Sequence, residues 1–101
     1  MSSNVELNLP NLRLYINENR LYEVKHWFED QADGSRKLVR SILRSIDDRQ
    51  VTTIQILDEN NGDILDYDDE TDMSDEEMED FMDDWNEVCE NIREFYPTLD
   101  F

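Results

Sequence analysis

The sequence predicts an α+β fold: a small antiparallel sheet with a hairpin, packed against a central helix and a long acidic C-terminal helix. Three observations lead there. Apolar residues alternate over 12–16, the period of a strand, and 51–57 is rich in β-branched residues. They recur every three or four residues over 36–48 and 75–96, the period of a helix. The 101 residues also suffice for one domain, 1–101, and a domain that small buries a modest share of its surface.

Val5, Leu7 and Leu9 alternate before Pro10, and Leu12, Leu14 and Ile16 alternate around Arg13 and Tyr15. Asn17-Glu18-Asn19 reads as a turn or a helix start. Over 21–28 two patterns compete. Leu21, Val24 and Phe28 fit a helix face, whereas Tyr22, Val24 and Trp27 would suit a strand; the helix is favoured. Asp33-Gly34-Ser35 interrupts the pattern and offers a helix cap. Leu38, Val39, Ile42, Leu43 and Ile46 then predict the central helix, with Arg36, Arg40 and Arg44 four apart as one stripe on its opposite face. Two strands, 51–57 and 63–67, flank Asp58-Glu59-Asn60-Asn61-Gly62-Asp63 as a hairpin. Ser74 and Glu77 are spaced as a capping box. Met78, Phe81, Met82, Trp85, Val88, Cys89, Ile92, Phe95 and Tyr96 hold helical spacing until Pro97 stops the helix.

Hydrophobic content is only 38%. Leu, Ile, Val and Phe still make 10, 7, 5 and 4 residues, together above the fifth (about 20%) below which high charge predicts disorder. The first residues lack a basic region leading into an apolar run, so no signal peptide is expected. No apolar stretch approaches the roughly 18 residues of a membrane span. The single Cys89 has no internal partner and suits a reducing compartment, so a cytoplasmic protein is expected.

The formal charge is −18 and it is unevenly placed. Residues 1–50 balance eight bases against eight acids, while 51–101 hold 19 acids and one base, Arg93. Nine of those acids lie between Glu76 and Glu94. Five like-charge pairs stand four apart there (76/80, 79/83, 80/84, 83/87 and 90/94), a repulsion of about 1–2.5 kcal/mol in total. Ordinary solvated faces mix both signs and avoid this cost. A face of one sign is better explained by a basic partner. Its expected contact residues are Glu76, Glu79, Asp80, Asp83, Asp84, Glu87 and Glu90, continued along the hairpin by Asp66, Asp68 and Asp69. From Glu76 to Glu94 the helix rises about 27 Å, a length over which one DNA strand presents about eight phosphates.

In this acid run, Asp66 to Glu94, the chain resembles small, highly acidic proteins of phages and mobile elements that mimic DNA, anti-restriction and anti-CRISPR inhibitors among them. The resemblance is one of composition, covers under a third of the chain, and carries no motif and no residue roles. It implies an inhibitor that occupies the nucleic-acid site of a bacterial defence nuclease. The expected partner is thus a basic nucleic-acid-binding protein, and direct contact with nucleic acid or membrane is not expected. An immunity protein or antitoxin against a nuclease toxin would use the same electrostatics, and a small metal-binding or assembly protein is a further alternative.

Other constellations are weaker. The Arg36, Lys37, Arg40 and Arg44 group is expected to relieve the acids, within the monomer or across a homodimer. The 58–63 segment superficially resembles a calcium loop, but Gly62 is fifth instead of sixth and Asp69 stands where the twelfth ligand, Glu, belongs. No metal site and no cofactor are expected. His26 and Cys89 are the only residues of their kinds, and nothing in the sequence brings them together. No catalytic residue is identified, and an enzyme is not expected.

Overall fold

The computed structural model describes residues 8–101; most of the Val5–Leu9 alternation lies outside the described residues. The chain runs β1 (Leu12–Asn17), β2 (Arg20–Asp30), β3 (Arg36–Ile46), β4 (Arg49–Leu57), β5 (Ile64–Asp69) and α1 (Asp75–Phe95). Each strand pairs antiparallel with the next, giving one sheet in the order β1-β2-β3-β4-β5. The helix lies across one face, and the molecule is a plate of 48 × 33 × 18 Å.

The expected central helix does not form. Residues 36–46 are β3, the middle strand, paired over its whole length with β2. The physical reason lies in the spacing. Leu38/Val39 and Ile42/Leu43 are adjacent apolar pairs four residues apart, and in a strand each pair puts one side chain on either face. β3 carries apolar groups on both faces, and that arrangement imitates a helical period. One face of β3 carries Arg36, Leu38, Arg40, Ile42, Arg44 and Ile46 towards the helix. A four-residue spacing keeps one face in a strand as well as in a helix, so the arginines still share a face, but it is the face of Leu38 and Ile42, where Arg40 and Arg44 are buried, and not the opposite one. Residues 21–28 likewise belong to a strand, with Tyr22 and Val24 fully buried at period two.

The turns follow local chemistry. Asp33-Gly34-Ser35 belongs to the β2–β3 connection and caps no helix. Asp33 Oδ1 accepts from the Ser35 amide at 3.0 Å and its hydroxyl at 2.6 Å. Asp47 and Asp48 alone join β3 to β4, and Asp47 takes a left-handed φ of 52°. In the β4–β5 hairpin, Gly62 has φ 78° and donates to the Asp58 carbonyl at 2.7 Å. Asp58 and Asn61 spend side-chain oxygens on the amides of Asn60 and Asp63, as turn residues do.

The core lies between the sheet and α1. Tyr22, Val24, Ile42 and Val51 meet Phe81, Trp85, Val88, Cys89 and Ile92, all buried. All five helical residues belong to the series its spacing predicted; of the rest, Met78 and Met82 are half-buried, and Phe95 and Tyr96 at the helix end are exposed. Tyr22 packs edge-on to Phe81 with ring centroids 6.2 Å apart and tilted against Trp85 at 5.8 Å. Ser74 caps the helix by accepting from the Glu77 amide at 3.1 Å. The reciprocal arm of the box is absent among the described residues, because the Glu77 carboxylate turns to Arg49 at 3.0 and 3.1 Å. The helix ends at Phe95, before Pro97.

Candidate functional site

The outer face of α1 is the most distinctive surface. At about 100° per residue, Glu76, Asp80, Asp83, Glu87, Glu90 and Glu94 advance by alternating steps of four and three. They therefore stay in one file parallel to the helix axis, with Glu79 beside it. All seven are exposed, and they fall within an arc of about 100°. The buried face, Phe81, Trp85, Val88 and Ile92, lies opposite. Arg93 stands off the file, and its Nε donates to the Phe101 carbonyl at 2.6 Å. The N-terminal half of the file borders a shallow, open depression of about 540 Å³, lined by Ser74 and the carboxylates of Glu76, Glu77, Glu79, Asp80 and Asp83.

The remaining acids of the expected site lie elsewhere. Asp66 and Asp68 pair with Ile56 and Ile54. They project from the sheet face away from the helix and do not continue the file. Asp69, opposite Thr53, is on the helix side and accepts from its hydroxyl at 3.2 Å. Asp84 faces inwards, its side chain 12% exposed. It accepts from Arg20 Nη1 at 3.0 Å and from the Tyr22 hydroxyl at 2.7 Å. Arg44 Nε also stands 3.2 Å from Asp84 Oδ2, at an angle that makes an ion pair without a hydrogen bond. Burial, then the bond to Asp84, pushes the Tyr22 hydroxyl pKa far above its usual value.

Three arginines of the sheet thus hold the helix: Arg20 and Arg44 through Asp84, Arg44 also through Asp80 at 3.2 Å, and Arg49 through Glu77. Sequence reasoning did not find Asp84 as an anchor. The helical wheel carried a signal, since Glu77 and Asp84 are seven residues apart and lie off the file, beside the apolar face.

Arg40 differs from Arg44. Both are almost wholly buried, at 4% and 3% exposure. Arg40 forms no ion pair among the described residues. Its Nε donates to His26 Nε2 at 3.0 Å and its Nη1 to Gln55 Oε1 at 3.3 Å. His26 Nδ1 in turn meets the Pro10 carbonyl at 3.1 Å, which fixes a neutral ring with its proton on Nδ1. Burial and the charge of Arg40 push the His26 pKa down to about 4. Burial pushes the Cys89 thiol up to about 11, so it stays protonated and inert at neutral pH.

Among the described residues no group of three or more His, Cys, Asp or Glu converges as a set of metal ligands, and no helix is long and apolar enough to cross a membrane. Compared with known proteins, the chain matches no family model, no curated protein and no solved structure.

Proposed function

We propose that this protein is a binding protein without enzymatic activity, which inhibits a basic nucleic-acid-binding protein, such as a phage-targeted bacterial nuclease, by presenting a DNA-like file of charge. The observation that carries the reading is the file itself. Six carboxylates, with Glu79 as a seventh, share one exposed stripe of α1; no base of the helix stands within it, and among the described residues only Asp80 of the seven is paired, to Arg44 of the sheet. An axial step of about 5.3 Å between successive acids compares with about 3.4 Å between the phosphates of one DNA strand. A groove lined with Lys and Arg to hold a strand accepts such a file, and the depression beside Asp80 and Asp83 admits a cationic side chain. The stripe lies opposite the core, so it is presented without disturbing the fold.

Changing Asp83 and Glu87 to Lys tests this reading. Neither residue contacts the sheet through an ion pair or side-chain hydrogen bond among the described residues. The double variant should keep its melting temperature and fail to retain the partner that the unaltered protein captures from host lysate at low salt. Captured partner should also release this protein when challenged with duplex DNA. Retention by the double variant at unaltered strength, or indifference to DNA, would overturn the proposal.

A further inference from the structure

A second site lies under the helix, apart from the acidic file. A cavity of about 480 Å³ opens between the C-terminal half of α1, the β4–β5 loop and the 97–101 segment, within the size range of small-molecule sites, roughly 300–1,000 Å³. Arg40 lines it. This guanidinium is 4% exposed and has neutral partners on Nε and Nη1. Its Nη2 is buried with no hydrogen-bond partner. Buried charges are ordinarily paired, because removing an ion from water is costly. Arg44, two face-positions along β3, obeys that rule with two carboxylates. Arg40 has no carboxylate partner among the described residues. Two aromatic rings stand over it, with Cζ 5.0 Å from the Phe101 centroid and 5.8 Å from that of Trp85.

We propose that this cavity binds a small monocarboxylate with a flat apolar body, its carboxylate paired to Arg40. Trp85, Phe101, Ile64 and Met82 supply apolar walls, and Arg93 adds a second cation. Asp63 and Asp100 also line the cavity, and together with the net charge of −18 they select against dianions such as phosphate. The planar carboxylate suits a guanidinium. Nη2 is sealed from solvent, so pairing to it requires a covering side chain to move.

Benzoate is the probe, benzamide its neutral isostere and inorganic phosphate the dianion control, all at constant ionic strength. A Trp27→Phe background leaves Trp85, in the cavity wall, as the sole indole reporter. Benzoate should change its fluorescence saturably, with benzamide at least about tenfold weaker and phosphate silent. Arg40→Met should abolish the benzoate response while circular dichroism stays unchanged. If Arg40→Met does not fold, Arg93→Gln serves instead and should weaken benzoate about threefold or more. Absence of saturation by benzoate, or equal binding of benzamide, would sink the proposal.

Discussion

At the scale of single residues, the inner arginines separate two kinds of buried charge. Asp84 joins Arg20, Tyr22 and Arg44 across the sheet–helix boundary. Replacing it with Ala leaves Arg44 inside with only Asp80, and should destabilise the protein by about 3–5 kcal/mol in urea denaturation. Asp83→Ala, one residue away on the exposed stripe, should leave stability unchanged or slightly raised. His26 gives a pH dependence of known sign. Its folded pKa, about 4, lies below the ordinary 6.5, so the unfolded chain takes the proton first as pH falls. The stability this contributes is complete above pH 6.5 and is lost between there and pH 4. The loss is on the order of 2 kcal/mol, since the ring is only partly buried. Urea curves at pH 7 and 4.5 should differ by that amount more in the unaltered protein than in His26→Gln, the carboxylates titrating alike in both.

At the scale of elements, α1 is the most informative unit. Trp85→Ala, which removes a ring in contact with Tyr22, should cost about 3–5 kcal/mol. The Asp83→Lys, Glu87→Lys pair should hold or raise the melting temperature, because it replaces repulsions four apart with attractions. This helix was legible in the sequence from its period and its cap, the strand at 12–16 from its alternation, and those at 51–57 and 63–67 from the β-branched run before the Asn61-Gly62 turn. The two long strands β2 and β3 were not. Their apolar residues lie on two faces at once, and a repeat of four fits a helix and such a strand equally well. The acids of the helix could be found from spacing alone. Two other placements needed the sheet: Asp84 is drawn inwards by Arg20 and Arg44, and the pleat of β5 turns Asp66 and Asp68 away. The isolated charge of Arg40 was illegible for the same reason, since only strand pairing brings His26 and Gln55 to its sides.

At the scale of the whole molecule, a charge of −18 on a plate 18 Å thick works against compactness. Salt should therefore stabilise the free protein. Its melting temperature should climb by a few degrees from low to physiological ionic strength, where the screening length falls to about 8 Å. The proposed complex should respond in the opposite direction and loosen over the same range, so one titration separates self-repulsion from partner attraction. The strand order has a consequence in time. Every strand pairs with its neighbour in the chain, so the sheet needs no long loop closure and can grow hairpin by hairpin as the polypeptide emerges. The helix, last in order, then covers the open apolar face. Until it docks, Tyr22, Val24 and Ile42 lack their partners on α1, and the repulsion along the acid file opposes the helix that must cover them. Refolding should accordingly accelerate with salt, and Asp83→Lys with Glu87→Lys should quicken it in the same way.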